Sequence, residues 1–231
     1  MKKSFYLIFG MLLLSIGVFT SCDETEEINR YADWRVRNER FLDSIAEVAK
    51  ANATGEWKVI RAYSQDYENG SGSLLPSEGD VNDYIYAKVL QDAVTVATEE
   101  LAQPEFENQT PVCRGVLFTD SVYVHYKGSL MNGDVFESSY TSPLDYEQAS
   151  PVKFAVSGVV NGFTTALQKM RQGDNRLENW LYKGDRWEVY IPCELAYGSA
   201  EQDGIPAYSV LVFDIALCRV WGVGETVPGW N

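Results

Sequence analysis

The alternation of apolar and polar residues in the second half of the chain indicates β-strands. Across residues 186–191, Trp, Val and Ile alternate with Glu and Tyr, which is the period of a strand with one buried face. Pro192 prevents further ladder pairing, and Gly198 permits a tight bend. This strand is therefore predicted to end beneath a loop that presents Tyr197.

A second predicted strand runs through the stretch around Tyr126. Val122, Val124 and Tyr126 share one face of it, and Tyr123 and His125 share the other. The pattern places Tyr126 on the core side. His125 is the chain's single histidine, and we interpret it as structural rather than catalytic.

Two earlier segments, residues 57–63 and 84–90, also have the composition of strands. An Asn-Gly-Ser-Gly loop at residues 69–72 lies between them. Residues 91–109 are then predicted to form a long polar connection, and connections of that length are either functional or disordered.

Helical periodicity appears twice. In residues 31–51, Trp34, Phe41, Ile45 and Val48 recur at helical spacing, so we expect an amphipathic helix that packs on its own chain rather than on a second copy. A shorter amphipathic helix is predicted to begin near Phe163 and to press on the sheet, with Asn161 as its cap. Strands and few helices together predict an α+β domain, a twisted antiparallel sheet wrapped over the short helix.

The composition restricts the chemistry. A net charge of −14 has the wrong sign for binding nucleic acid. One histidine and the absence of metal-ligand spacing argue against a metal site, and no cofactor motif is present. Besides Cys22 there are Cys113, Cys193 and Cys218, so at most one disulfide forms.

The beginning of the chain looks like a targeting segment. Lys2 and Lys3 precede an apolar run at residues 5–19, and small residues lead to Cys22, a pattern that resembles a bacterial lipoprotein signal. We therefore expect a membrane attachment through lipid on Cys22, the alternative being an uncleaved membrane anchor. The acidic run at residues 23–27 reads as a solvated tether and also resembles the export signal of Bacteroidetes surface lipoproteins.

Several motifs, in order, resemble those of the FKBP-type peptidyl-prolyl cis-trans isomerases. That family has V-H-Y-x-G, G-x-x-F-D-S-S, V-I-x-G-W, I-P-x-x-L-A-Y-G and a closing L-x-F strand. The matching stretches here are residues 122–128, 133–139, 159–163, 186–198, 204–206 and 210–213. The resemblance suggests an FKBP-type domain at 111–221. Together with the patterns described above, the predicted organisation is a signal peptide at 1–21, a tether and helix at 22–56, strands and a connection at 57–110, this domain, and a tail at 222–231.

The resemblance also implies the site residues. The catalytic group would be Tyr126, Phe136, Glu137, Tyr197 and Phe213, and the substrate-binding group would be Val152, Val159, Val160, Phe163 and Ile205. Phe163 would form the floor of a proline pocket, Tyr197 would donate its hydroxyl to a substrate carbonyl, and the Ile205 backbone would add a polar contact. Phe136 and Phe213 would press on the twisting amide. Such a site needs no nucleophile, because isomerisation breaks no bond.

Four features depart from the family pattern. Phe163 replaces the usual Trp, Glu137 replaces the usual Asp, and Val152 stands where an aromatic residue often lies, which would leave one wall thin. The loop at residues 140–150 is longer than usual and lacks any Arg or Lys, so the customary cation for the carboxylate is missing. An insertion at 171–185 carries Trp, Leu and Tyr at 180–182, either a contact patch or a cover for nearby surface.

Two functions from different classes remain open on these residues. The first is a lipid-anchored prolyl isomerase that assists the folding of exported, proline-containing envelope polypeptides. The second is a non-catalytic chaperone or binding module whose altered pocket holds extended chains, and an inert envelope spacer is the least specific reading.

Overall fold

The computed structural model describes residues 30–64, 79–103, 109–226 and 229. The expected signal peptide, Cys22, the acidic run and the loop at 69–72 lie outside these residues. The helices are α1 (Trp34–Ala51), α2 (Ala93–Glu100) and α3 (Asn161–Leu167), and the strands are β1 (Trp57–Arg61), β2 (Tyr84–Gln91), β3 (Ser121–Leu130), β4 (Val135–Ser138), β5 (Val152–Ala155), β6 (Arg186–Ile191) and β7 (Leu211–Trp221). None of the described helices is long and apolar enough to span a membrane.

The strands form a single antiparallel sheet, which confirms the α+β fold. Their order is β1-β2-β6-β7-β3-β4, and β5 pairs with the same edge of β3 as β4. β3 and β7 are the longest pair, with partners from Ser121–Trp221 to Leu130–Leu211. Strands from residues 57–110 and from 111–221 thus share one sheet, and the chain from Asp33 onward is one compact unit.

Helix α3 covers one face of the sheet, here called the inner face. Ala166, Leu167 and the following Met170 are fully buried in the main core, as their spacing predicts. A Cβ on Gly162 would lie 2.2 Å from a methyl carbon of Ile191, so glycine is needed for the helix to approach β6 this closely. The predicted cap is wrong: Val160 is the N-cap residue, and Asn161 Oδ1 instead accepts a hydrogen bond from the Tyr63 hydroxyl at 3.1 Å.

Helix α1 covers part of the opposite, outer face, packing on its own chain as expected. Its apolar side contacts Tyr86 of β2 and Tyr190 of β6, which point away from α3 because strand side chains alternate. The predicted buried stripe needs correction, since Val48 is 52% exposed. The buried positions are Trp34, Asn38, Leu42, Ala46 and Ala49. A polar Asn and two small alanines hid this stripe from a search for large apolar residues.

The connection at residues 91–109 is not structureless, because it contains α2. Asp92 caps this helix by accepting the backbone N–H of Thr95 at 2.8 Å. Ala97 and Leu101 are buried against Leu177 of the predicted insertion. The β-branched residues of α2 have weak helix propensity, so tertiary packing determines this helix.

The two long loops pack on another part of the outer face. Tyr146 of the 140–150 loop contacts His125 edge-on at a ring-centroid distance of 5.4 Å. Tyr182 of the 171–185 insertion stacks on Tyr146 at 4.9 Å. The insertion therefore covers nearby surface, the second of the two expectations stated for it. Cys113, Cys193 and Cys218 are free thiols.

Candidate functional site

A cavity of about 400 Å³ opens between the inner face of the sheet and α3. It lies where β3, β5 and β7 meet the N-terminus of α3 and the loop that follows β6. Its lining residues are Tyr126, Glu137, Phe154, Gly158, Val159, Val160, Phe163, Tyr197 and Phe213. Seven of the ten predicted site residues are thus brought together, although they come from distant parts of the chain.

Aromatic rings form the floor of the cavity. Phe163, at the start of α3, is 4% exposed and meets the ring of Phe213 at 5.1 Å and nearly perpendicular planes. Tyr126 also meets Phe163 at right angles, at 6.3 Å, and Phe154 lies 6.0 Å from it. Edge-to-face contacts of this kind stabilise ring clusters and fix ring orientation. The floor is therefore apolar, and its rings hold one another in fixed orientations.

A glycine in β3 lets two of these rings approach the strand. Gly128 pairs with both Glu137 and Phe213 across neighbouring strands. A Cβ at this position would lie 2.5 Å from the Phe136 ring and 2.8 Å from the Phe213 ring. The rings themselves meet at 5.6 Å and 88°. No larger residue fits at position 128 without displacing Phe136.

The polar groups of the cavity lie at its edge. Tyr126 and Glu137 lie together in the lining, and the pKa of the Tyr126 hydroxyl is raised by burial and then by the Glu137 carboxylate. Glu137 itself is exposed to solvent. Among the lining residues Glu137 is the single ionised one, so the cavity has a hydrophobic interior and an anionic rim.

Tyr197 reaches the cavity from the loop after β6. Its side chain is 40% exposed. The following Gly198 has a φ of 60°, and its carbonyl accepts a hydrogen bond from Tyr208 N at 2.8 Å. This bond closes the base of a loop from Gly198 to Tyr208. Tyr197 stands beside that base and lines the cavity.

Comparison with known proteins identifies the family. A family model described as FKBP-type peptidyl-prolyl cis-trans isomerase matches residues 116–218. The FKBP-type peptidyl-prolyl cis-trans isomerase FkpA of Aeromonas hydrophila is 33% identical over 214 residues, which cover 90% of this chain and 73% of that protein. The chain belongs to the FKBP-type peptidyl-prolyl cis-trans isomerase family.

Other relatives match over a shorter FKBP-type segment. FkpA of Escherichia coli K12 is 38% identical over 102 residues, 44% of this chain, and the match spans 32% of that protein. The macrophage infectivity potentiator of Trypanosoma cruzi is 39% identical over 113 residues, 48% of this chain and 49% of that protein. A solved peptidyl-prolyl cis-trans isomerase from Pseudomonas syringae aligns with a TM-score of 0.49 at 20% identity, over 82% of this chain and 95% of that one.

Three predicted FKBP site residues lie outside the lining. Phe136 is half-buried at the rim, in contact with Phe213. Ile205 belongs to the core at 6% exposure, and its backbone N–H and carbonyl each bond to the Gln202 backbone at 3.0 Å, so the backbone expected to contact substrate is paired within the loop. Val152 pairs with Val124 at the far end of β5.

The expected thin wall of this FKBP-type pocket is not present. Phe154, two residues beyond Val152 on the same face of β5, fills that side and contacts Tyr126 at 5.4 Å. Sequence reasoning missed Phe154 because the family resemblance pointed only to position 152 for this wall. The alternation of Val152 and Phe154 with Lys153 was the signal that both face inward.

The 140–150 loop explains why Glu137 has no cation. The loop turns to the outer face, where the Tyr140 hydroxyl donates to Asp214 at 2.7 Å and Arg186 binds the same carboxylate with two bonds of 2.9 and 2.7 Å. Arg186 thus serves a site on the other side of the sheet. In the described part of the chain no basic side chain forms an ion pair with Glu137.

Buried histidine and metal chemistry do not enter this site. His125 is fully buried on the outer side of β3, and burial lowers its pKa to about 4, with the nearby Arg186 charge as a smaller cause. It is therefore neutral at physiological pH, in agreement with a structural role. Within the described residues, no cluster of three His, Cys, Asp or Glu side chains could hold a metal ion.

Proposed function

We propose that the chain rotates X-Pro peptide bonds of extended polypeptides in the aromatic cavity. The observation that carries this proposal is the apolar floor of Phe163, Phe213 and Tyr126, with the exposed phenol side chain of Tyr197 in the lining and no Ser, Cys or Lys nucleophile there. A site built in this way can hold a proline ring and leave the preceding amide at the rim.

Rotation of the amide requires no bond-making group. The barrier of about 18–20 kcal/mol arises because rotation destroys amide resonance. The twisted amide has less charge separation than the planar one, so an apolar environment favours it relative to the ground state. Phe163 would seat the proline ring, Phe136 and Phe213 would flank the turning amide, and the Tyr197 hydroxyl would hold a substrate carbonyl.

The isomerase activity can be tested with a short X-Pro peptide and the full-length chain in detergent. We expect faster cis-to-trans conversion than in buffer. Tyr197→Phe should lower kcat/KM about two- to twelvefold, the value of one net hydrogen bond, and Phe136→Ala should lower it further because it removes a rim ring. Tyr182→Phe, which removes a phenol hydroxyl on the outer face, is the matched control and should leave kcat/KM unchanged. A wild-type rate equal to that of buffer would refute the activity.

The signals at the start of the sequence support a proposed cellular location and, through it, a class of client polypeptide. The basic start, apolar run and Cys22 support a lipid-anchored protein of the cell envelope, whose clients are exported polypeptides that contain proline. In cells fed labelled palmitate, the chain should incorporate label and fractionate with membranes. Cys22→Ala should abolish both, and retention of the label in that variant would exclude lipid attachment at this residue.

A further inference from the structure

Helix α1 is joined to the segment that closes the Gly198–Tyr208 loop by a set of specific polar contacts. The Trp34 indole Nε1–H donates to Ser209 Oγ at 2.9 Å, and Asn38 Oδ1 accepts the backbone N–H of Val210 at 2.8 Å. The Arg35 guanidinium lies 4.5 Å above the centre of the Tyr208 ring. These contacts join residues about 170 positions apart in the chain.

The contacts are buried, which makes them specific. Asn38 is 1% exposed, Ser209 4% and Trp34 6%. Buried polar groups are costly unless paired, and here they are paired in a chain: Asn38 Nδ2 donates to the Trp34 carbonyl at 2.8 Å, and the Ser209 hydroxyl donates to the Pro206 carbonyl at 2.6 Å. A helix that merely covered apolar surface would not require this network.

The network ends at the loop that presents Tyr197. Tyr208 has a φ of 61°, an unusual backbone conformation for a tyrosine, and its N–H forms the bond to the Gly198 carbonyl that closes the loop. Arg35 holds the Tyr208 ring from the side of α1. Ile205, inside the loop, packs in the main core together with Trp34.

We infer that α1 is a brace for the active-site loop, with Trp34, Arg35 and Asn38 as positioning residues that act through residues 206–210 on Tyr197. The position of a group at the mouth of a cavity matters because displacements near 1 Å are costly in catalysis. The effect on turnover depends on the proposed isomerase function, whereas the effect on loop order does not.

The test compares single and double variants of the full-length chain in detergent, at a temperature where all are folded. Trp34→Phe keeps a large ring but removes the indole N–H, and Ser209→Ala removes its partner. We expect each single variant to lower kcat/KM at least about threefold and to speed amide hydrogen exchange across residues 198–208 at least about fivefold. The double variant should resemble the singles, because the two changes break the same bond.

Ala49→Gly is the matched control. It weakens α1 in its last turn, about 22 Å along the helix from Trp34, and it lowers helix stability without touching the loop contacts. It should reduce the melting temperature but leave kcat/KM and loop exchange at wild-type values. The inference is overturned if Trp34→Phe and Ser209→Ala change the melting temperature alone, as Ala49→Gly does. If wild type shows no isomerase activity, the exchange measurement still decides the brace, while the proposed function fails separately.

Discussion

Glu137 gives the cavity a charge preference that can be measured. Its carboxylate stands at the rim of an otherwise neutral lining. The nearest cations in sequence, Lys127 and Lys153, belong to the opposite face. Lys127 on β3 stands opposite Asp214 in the register with β7, and the Lys153 ammonium lies 5.8 Å from the centre of the Trp221 ring. We therefore expect substrates with Lys or Arg next to proline to be favoured over neutral ones, and acidic ones to be disfavoured.

The size of the effect follows from the exposure of the carboxylate. An ion pair between solvent-exposed groups contributes about 0.2–1 kcal/mol, which corresponds to about a 1.4- to 5-fold preference in kcat/KM. Salt should weaken it, because the screening length falls from about 8 Å at 0.15 M to about 3 Å at 1 M.

The assay uses three tetrapeptides that differ in one residue beside proline: lysine, norleucine or glutamate. The varied residue is placed before the proline in one series and after it in another. In Glu137→Gln the lysine-to-norleucine ratio should fall to about one, whatever the absolute rate. Glu47→Gln, on the exposed side of α1, removes the same net charge and should keep the ratio. A wild-type ratio of one in both series at low salt would refute the reasoning.

Two further predictions concern packing and pH. Gly128→Ala should lower kcat/KM and should lower the free energy of unfolding by about 1–3 kcal/mol, because the added methyl displaces the Phe136 ring. Gly115→Ala, where an added Cβ meets nothing within 4 Å, should change neither quantity. Equal effects of the two substitutions would contradict this explanation. Asp185 accepts hydrogen bonds from the N–H groups of Ala93 and Arg171, and burial raises its pKa to about 6. Because this pKa is higher than the ordinary value of 3.8, the stability that Asp185 contributes is full below pH 3.8 and is lost as the pH rises through 6. His125 has a lowered pKa of about 4, so its contribution is full above 6.5 and is lost as the pH falls through 4. Between pH 4 and pH 7, the melting temperature of Asp185→Asn should therefore rise relative to that of wild type, and the melting temperature of His125→Gln should fall relative to it. Curves of melting temperature against pH that run parallel to wild type would show that burial does not shift the pKa of these two groups.

The strands and the main inner face were predictable because they depend on local alternation. The side chains of 186–191 and of Val122, Val124 and Tyr126 follow a period of two, which a sheet with one packed face imposes directly. The family motifs likewise allowed seven cavity residues to be named, since each motif is a short local stretch. Errors arose where the pattern was weak, as in α2, or where the family resemblance was followed instead of the pattern, as in the wall that Phe154 forms.

The sequence by itself determined which residues of the central strands face the core, the family of the fold and the near absence of titratable groups from the site. Only the tertiary structure decided that Phe154 rather than Val152 lines the cavity, that the cation-free loop turns to the outer face, and that Asn38 on a helix holds the loop beside Tyr197. The physical reason is range. Periodicity reports how neighbours along the chain share a face, whereas a bond between Asn38 and Val210 exists only after distant segments have packed. In the sequence alone, Asn38 resembles an ordinary surface residue of a helix.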